Sequence, residues 1–429
     1  MHNLLSTTRN VLSEYAARLR MFTPNARLYL LTVLVTGAVM GVYRLIFNFY
    51  VLSLGYDEAL LGNLITTHQF TALILALPLG YAIDRWGRKR ALIARSLLLS
   101  ISVGLMAVWP SVGIFYAMNA VFGVVQSISA VAQAPFLMEN SGEDERTYLF
   151  SFSSGLRMGS VFVGNWLGGY MPTWIADYQL VESTSSTAYG GALLAIALIG
   201  ILGFIPLVFI RPINGVDGKE VRQRDFAPFK YAKENPKLLG KLLLPSLIIS
   251  FGAGLFMPFM NVFFREVHGQ SDQVIGTLFA WGSLAMGVGL MIAPPIADRL
   301  GKIRLVTLTQ GLAIPFMIVL GFAPYLGLSA LAYYVRMALM NMSNPIYQTF
   351  VMERVDASAR ATVASLVSMV WSFGRSFSPS ISGWLQVNYG FDPVFGAAIG
   401  LYAIAVSLYW VFFLRKPQEK RANAPVFGD

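Results

Sequence analysis

The sequence predicts an all-α membrane protein, with twelve transmembrane helices in two pseudo-symmetric six-helix bundles. The first observation is composition: the 429 residues are 55% hydrophobic and only 13% charged, whereas about a quarter of the residues in soluble domains are charged. The second is length, because a spanning helix needs about 20 apolar residues and the chain contains twelve candidate runs. The third is an internal repeat. Together they exclude a soluble enzyme, a coiled coil and a disordered chain.

The apolar runs fall into two groups of six. The longest polar stretch, 211–241, separates an N-terminal bundle in 27–210 from a C-terminal bundle in 242–414, and we expect it to be a cytoplasmic loop. Residues 1–26 carry apolar side chains at helical spacing among arginines, which is typical of an amphipathic helix on the membrane surface. Residues 415–429 form a cytoplasmic tail. The predicted spans are 28–54, 58–82, 91–109, 112–138, 147–175, 189–210, 242–264, 272–296, 305–323, 326–352, 361–386 and 393–414.

Basic residues set the orientation of the chain. With the N-terminus in the cytoplasm, 26 of the 32 Lys and Arg residues lie in cytoplasmic segments, and the outer loops contain only Arg265. Because basic loops stay on the cytoplasmic side, we expect a multi-pass protein of the cytoplasmic (inner) membrane with both termini in the cytoplasm. The net charge of +10 follows from this topology, so nucleic acid is not an expected partner.

The two halves repeat at a constant offset of 214 residues. The offset relates Asp84 and Arg85 to Asp298 and Arg299, Glu139 to Glu353, and Arg146 to Arg360. Duplicated bundles are what a transporter needs if its halves rock around a substrate site near the midplane of the membrane. A membrane enzyme has no such requirement.

The loop after the second span combines glycine, acid and base at Gly80, Asp84, Arg85, Gly87 and Arg88. A tight glycine turn there sets one carboxylate among guanidinium groups, and such a cluster can hold two bundles together in one state only. The loop is similar to the signature Gly-x-x-x-Asp-Arg-x-Gly-Arg-Arg/Lys of the major facilitator superfamily, and Asp298-Arg299 stands where that family has its second copy. The resemblance implies alternating access. The alternative is a simple anchor of positive charge.

Four more charged residues have the same spacing of seven in both halves, namely Glu139 with Arg146 and Glu353 with Arg360. They fall at the cytoplasmic ends of spans four, five, ten and eleven. The spacing resembles the inner charge network of the family, which closes the cytoplasmic gate. Partly desolvated ion pairs suit a gate because their geometry is demanding. Surface pairing without a gating role is the alternative.

Four arginines lie deep within predicted spans, at Arg44, Arg157, Arg336 and Arg375. A guanidinium at the bilayer centre costs about 2.5–3.5 kcal/mol, and no Asp or Glu falls in the interior of a span. By resemblance, the spans that carry these arginines border the central cavity. We therefore expect them to bind an anion, since guanidinium pairs bidentately with carboxylate or phosphate. The alternative is that helix-end carbonyls or polar neighbours satisfy them.

His68 and Gln126 complete the candidate cavity. His68 is the only histidine within a predicted span, and its side chain can titrate near neutrality; a hydrogen-bonded helix contact is the alternative. Gln126 is one of the polar side chains near the deep arginines. Arg95 lies only five residues after Arg90, so we expect its side chain to reach the cytoplasmic surface.

These residues favour a secondary active transporter of small organic anions. A proton-coupled polyspecific drug efflux pump is the rival, since Gly164–Gly169 resembles an element of such pumps, although Asn165 replaces its proline. A transport-inactive sensor or scaffold is the rival of another class. With no cysteine and three histidines, we expect no metal site, cofactor or catalytic residue. The expected partners are a small molecule, the lipid bilayer and protons as coupling ion, with solute exchange or transport without a coupling gradient as the alternatives. The expected functional unit is a monomer.

Overall fold

The computed structural model describes residues 22–211, 233–355 and 359–415. Within these ranges the chain forms helices and no strand. The long helices are α1 Pro24–Ser53, α2 Glu58–Trp86, α3 Arg88–Val108, α4 Val112–Glu139, α5 Glu143–Gln179, α6 Ser186–Leu202, α7 Pro236–Phe256, α8 Asp272–Leu300, α9 Lys302–Phe322, α10 Leu326–Glu353, α11 Arg360–Tyr389 and α12 Asp392–Tyr409. Short segments extend three of them: Ile205–Val208 follows α6, Met257–Phe259 and Met260–Glu266 follow α7, and Trp410–Leu414 follows α12.

Local sequence explains several helix ends. Thr23, Asp57 and Ser185 precede α1, α2 and α6, and each side chain accepts a hydrogen bond from a backbone N–H of the first turn, which a helix start otherwise leaves without a partner. Gly87 and Gly301 separate α2 from α3 and α8 from α9, with φ of +90° and +86°. Glycine adopts this backbone region without strain, so both copies of the motif loop make the same tight turn.

Two helices differ from the predicted spans in an informative way. α7 begins at Pro236, inside the stretch expected to be loop, because proline is well suited to the first turn of a helix. The same helix is interrupted at Met257–Phe259, where Pro258 has no N–H to donate to the preceding turn. α5 is longer than the predicted span 147–175 and extends beyond it at both ends.

Nine helical segments in the described residues are long and apolar enough to cross a membrane. α5, α10 and α11 are also long, but they are not among the nine. These three helices carry Arg157, Arg336 and Arg375 and many small polar residues. Helices that border a polar cavity rather than lipid are expected to have this composition.

The helices pack as two bundles with the same internal pattern. In the first, α1 packs on α5 and α6, and α4 on α2 and α3; in the second, α7 packs on α11 and α12, and α10 on α8 and α9. Two extensive contacts join the bundles, α2 with α11 and α5 with α8. We call the end where α1 ends and α2 begins the outer end, and the opposite end, with the basic loops, the basic end.

Three expectations fall largely outside the described residues. They are the surface helix within 1–26, most of the central loop 211–241 and the tail 415–429.

Candidate functional site

Buried asparagines join the two bundles at the outer end. Asn48 of α1 donates to the carbonyl oxygen of Pro258 at 2.8 Å and to Oδ1 of Asn261 at 2.9 Å, and Asn261 donates to the carbonyl oxygen of Leu45 at 2.7 Å. Both asparagines are buried, so these bonds replace the water that the amides would otherwise bind. They hold the outer part of α1 against Met257–Glu266, the two short segments that follow α7.

Close glycine contacts form the two other crossings at the same end. A Cβ atom on Gly169 of α5 would lie 2.6 Å from the carbonyl oxygen of Asp272 in α8. A Cβ atom on Gly383 of α11 would lie 2.1 Å from the carbonyl oxygen of Glu58 in α2. The offset of 214 relates both residues of one contact to both residues of the other. The crossings are therefore two copies of one contact, and each requires glycine.

Polar side chains bond across these crossings. Asn165 Nδ2 donates to Ser283 Oγ at 3.3 Å between α5 and α8, and Ser380 Oγ donates to Thr66 Oγ1 at 2.7 Å between α11 and α2. Gly164 packs against α1, since its Cβ would lie 2.2 Å from the carbonyl oxygen of Ala38. The Gly164–Gly169 element thus makes close helix contacts, and Asn165, which stands in place of a proline, bonds to the opposite bundle.

A charged cluster completes the outer end. Arg265 forms an ion pair with Asp272, and the carbon of its guanidinium lies 3.3 Å from the centroid of the Phe49 ring. Tyr189 donates to Asp272 Oδ2 at 2.7 Å and accepts a bond from Arg265 at 2.7 Å. Phe49 and Tyr189 belong to the first bundle and the two charged residues to the second, so the cluster is a further lock between them.

At the basic end, two ion pairs lie within the bundles. Glu139 at the end of α4 pairs with Arg88 at the start of α3, and Glu353 at the end of α10 pairs with Lys302 at the start of α9. The offset of 214 relates both partners of one pair to both partners of the other. Each pair ties one motif loop to its own bundle.

Arg146 and Arg360, the other two predicted gate residues, bond to nearby loop atoms. Arg146 donates to Ser141 Oγ and to its carbonyl oxygen, each at 3.4 Å, and Arg360 donates to the carbonyl oxygen of Met352 at 3.1 Å. Among the described residues, neither arginine forms an ion pair with the glutamate seven residues before it. A gating role for these four residues stays a prediction.

The remaining motif residues also lie at the basic end. Arg85, Asp298 and Arg299 are exposed. Gly80 lies in α2 beside α4, where a Cβ atom would have ordinary contact with Val131 at 3.6 Å. The side chain of Asp84 lies outside the described part of the structure.

These contacts define a central cleft. Side-chain hydrogen bonds join the two bundles in the half of the molecule nearer the outer end. These bonds close the cleft between the bundles at the outer end. The Phe70 and Phe377 rings, 5.5 Å apart, also join the bundles between α2 and α11.

Three of the deep arginines come together in this cleft. Arg44, Arg157 and Arg375 are exposed, and the positive charges of Arg375 and Arg157 act on Arg44. Arg44 lies one helical turn before Asn48, on the face of α1 that meets the second bundle. In the described part of the chain these three side chains form no hydrogen bond or ion pair. We call them the arginine cluster; it is shared by both bundles.

Arg336 and Arg95 lie elsewhere. Arg336 is only 2% exposed; its Nη2 donates to the hydroxyl of Tyr402 at 3.0 Å, and its guanidinium carbon lies 4.5 Å from the centroid of the Phe256 ring. It is thus packed inside the second bundle, away from the cleft surface. Arg95, expected to reach the cytoplasmic surface, instead bonds Ser129 of α4 inside the first bundle.

His68 and Gln126 lie together on α2 and α4. The two side chains are neighbours, and the charges of Arg44 and Arg375 act on His68. The His68 ring also packs edge-on against Phe122 at 5.0 Å, and its Nε2 atom is buried without a partner among the described residues. Gln126 is exposed. His68 therefore makes a contact between helices and also lies beside the arginine cluster.

Sequence reasoning missed the residues that close the outer end. Asn261 gives no signal, because a single asparagine in an apolar run has no pattern. Arg265 stands out in the sequence only as a loop charge, although its place seven residues before Asp272 repeats the spacing of acid and base found at the basic end. That spacing is the available signal.

The fold and the cleft define a multi-pass membrane protein built from two helical bundles around a central opening. The family model described as Major Facilitator Superfamily matches residues 29–379 and 342–428, and the chain belongs to this superfamily. The resemblance drawn from the motif is thereby confirmed.

Curated relatives cover nearly the whole chain. Multidrug resistance protein MdtG of Dickeya zeae (strain Ech586) is 22% identical over 403 residues, which are 90% of this chain and 93% of the relative. The protein of the same name from Proteus mirabilis (strain HI4320) is 25% identical over 398 residues, 90% of this chain and 94% of the relative. An uncharacterized MFS-type transporter, YxaM of Bacillus subtilis (strain 168), is 23% identical and covers 87% of this chain and 92% of its own length.

Solved transporter structures share the fold. A mutant of the nucleoside transporter NupG superposes with a TM-score of 0.77 at 13% identity, covering 91% of this chain and all (100%) of the other. A bacterial homologue of the human lysosomal transporter Spinster gives a TM-score of 0.69 at 15% identity, covering 92% and 96%. The predicted all-helical, two-bundle membrane fold is confirmed. The chain is a membrane transporter, and the expectation that it is not an enzyme agrees with its family.

Proposed function

We propose that the protein is a secondary active transporter that moves small organic anions by alternating access, with the arginine cluster as its binding site. The observation that carries the proposal is the exposure of Arg44, Arg157 and Arg375 at the closed inner part of the cleft, on helices whose sequence has no acidic residue at that depth. Three guanidinium groups without partners in the described part of the chain favour a ligand that brings negative charge.

The position of the cluster gives the anion a mechanical role. Arg44 belongs to the first bundle and Arg375 to the second, so their charges repel across the cleft while it is empty. An anion that contacts both groups replaces this repulsion by attraction and draws the bundles together. A ligand shifts a conformational equilibrium only by its difference in affinity for the two states, and bridging both bundles supplies such a difference.

The remaining features complete the proposal. The basic end faces the cytoplasm, together with both termini, because basic loops stay on that side. The membrane is the cytoplasmic (inner) membrane, the protein acts as a monomer, and protons are the coupling ion. His68, beside Arg44 and Arg375, is the candidate proton carrier, because its protonation adds a positive charge next to the arginine cluster.

Export of drugs or other amphiphiles is the second candidate. Two relatives that cover 90% of this chain bear the name multidrug resistance protein MdtG. Under this hypothesis the cleft would accept lipophilic compounds, including cations, and the arginine cluster would not determine which compounds bind.

Thermal-shift measurements on the purified protein test the two candidates. Benzoate should raise the melting temperature, by an amount that grows with the logarithm of one plus its concentration over its dissociation constant, whereas the lipophilic cation tetraphenylphosphonium should not. Arg44→Gln, Arg157→Gln and Arg375→Gln should each remove the benzoate effect. Arg304→Gln, an exposed arginine at the basic end, is the matched control and should retain it.

The opposite pattern decides against anion transport. Stabilisation by tetraphenylphosphonium alone, unchanged in the three variants, would favour drug export. Uptake of labelled benzoate into proteoliposomes above the protein-free background would dismiss the sensor or scaffold alternative.

A further inference from the structure

A cavity lies between α10 and α11, in the half of the second bundle nearer the basic end. Its volume is about 310 Å³, near the lower limit of small-molecule pockets, about 300 Å³. Its lining includes Asn344, Tyr347, Gln348, Val367, Ser368 and Trp371. Asn344, Gln348 and Ser368 are exposed, so the cavity is open and a solute can enter it.

The lining is aromatic, aliphatic and amide in character, and it contains no charged side chain. The Tyr347 hydroxyl donates to the carbonyl oxygen of Leu242, and its ring packs against that of Tyr409 with centroids 5.2 Å apart. This wall is therefore held rigid. The side chains of Asn344 and Gln348 form no hydrogen bond within the described part of the chain. The cavity thus presents flat apolar surface with polar groups at its rim.

One face of α11 leads from the cavity to the arginine cluster. Val367, Trp371 and Arg375 are spaced by four residues and lie on one face of the helix. Trp371 and Arg375 are about 6 Å apart along the helix axis, at 1.5 Å per residue. A flat surface and a positive charge therefore stand side by side, separated by one helical turn.

We propose that this cavity binds the flat apolar part of the transported anion while Arg375 binds its acidic group. The substrate class is then an aromatic carboxylate, with the acid group about one helical turn, roughly 6 Å, from the centre of the ring system. The proposal rests on anion transport through the arginine cluster and specifies the kind of anion. Stacking on Trp371 favours binding of the flat ring system, and the amide side chains at the rim can form hydrogen bonds with polar substituents of the ring.

Binding of two carboxylates to the purified full-length protein tests this. 2-Naphthoate carries a flat ring system and butyrate carries the same charge without one. The wild-type protein should bind 2-naphthoate at least about tenfold more tightly than butyrate. The stacking of one aromatic ring, together with the apolar area it buries, contributes about the free energy that corresponds to this ratio. Trp371→Ala should abolish this preference, and Trp371→Phe should restore most of it. Trp384→Ala, a tryptophan of the same helix outside the cavity, should leave it unchanged.

Arg375→Gln separates the inference from the proposed function. This variant should weaken both ligands to a similar degree, because both carry a carboxylate. If it weakens both but Trp371→Ala leaves the naphthoate preference intact, the cavity is not the binding site for the ring and the inference fails alone. It also fails alone if the wild-type protein binds both carboxylates equally well. If Arg375→Gln changes neither ligand, the anion site itself is wrong.

Discussion

The two bundles are alike at their glycine crossings and at the ion pairs of their motif loops, and they differ in the arginine cluster. At the outer end, Gly169 meets Asp272 as Gly383 meets Glu58, and the offset of 214 relates the two contacts residue by residue. The ion pairs that tie each motif loop to its bundle are related in the same way. If the bundles rock about these contacts during transport, both copies must work in the same way, and the duplication preserves them.

The arginine cluster shows no such symmetry. The same offset places Pro258 opposite Arg44 and Trp371 opposite Arg157, and it relates Arg375 to Val161. A solute without twofold symmetry cannot use two identical half-sites at once. Under the proposed function, the duplicated contacts guide the movement of the bundles and the arginine cluster selects the solute, so substitutions in the two groups should have different consequences.

The largest effect is expected at the duplicated glycines. Gly383→Val places a Cβ atom where the carbonyl oxygen of Glu58 lies 2.1 Å away, and backbone cannot yield as a flexible side chain does. Overpacking of this kind costs about 1–3 kcal/mol, which should open the outer end. The chain has no cysteine, so Thr66→Cys supplies a single thiol at the crossing. Its labelling by a membrane-impermeant maleimide should rise about tenfold, the equivalent of about 1.4 kcal/mol.

The partner glycine makes this a test of the symmetry. Gly169→Val, in the Thr66→Cys background, should increase labelling to a similar degree, because both crossings are needed to keep the outer end closed. Gly396→Val in α12, where nothing lies within 4 Å of the new Cβ, is the control and should change nothing. If only one of the two glycine variants opens the outer end, the bundles are equivalent in sequence but not in mechanics.

An intermediate effect, on stability alone, is expected at Arg336. Arg336→Met keeps most of the side-chain volume but leaves the Tyr402 hydroxyl inside the bundle without its guanidinium partner, which costs about 1–3 kcal/mol. The melting temperature should fall, while the affinity for benzoate should stay within about twofold (under about 0.5 kcal/mol). Arg375→Gln, measured beside it, should show the reverse: lost affinity with little change in melting temperature. If Arg336→Met loses affinity for benzoate, Arg336 belongs to the binding site after all.

Arg336 also shows what the sequence could and could not predict. The apolar runs and the repeat are local or periodic properties, so they predict the helices and the two bundles, and the motif predicts the tight turn at Gly87. The sequence likewise indicates which helices carry deep arginines. It does not reveal which way each guanidinium points, because that depends on partners far along the chain, such as Tyr402 for Arg336.

The same limit applies to the outer end. Asn48 and Asn261 are 213 residues apart, and neither has a sequence neighbour that indicates a partner. Their bond arises only when α1 packs against the interrupted end of α7. Gly169 and Gly383, by contrast, are visible in the repeat, although only the packing shows why each must be glycine.

The smallest effect is expected at the two ion pairs of the basic end, and here the symmetry should be imperfect. The side chains of Arg88 and Glu139 are 26% and 23% exposed, whereas those of Lys302 and Glu353 are 32% and 56% exposed. Partly exposed pairs contribute about 0–1 kcal/mol, and water and salt screen the more exposed one further. Glu139→Gln should therefore lower the melting temperature slightly more than Glu353→Gln, and about 1 M salt should reduce the difference. Glu182→Gln, exposed in the outer loop, is the reference. If Glu353→Gln proves the more destabilising variant, its glutamate does more than pair with Lys302, and the C-terminal copy of the pair has a role that the N-terminal copy lacks.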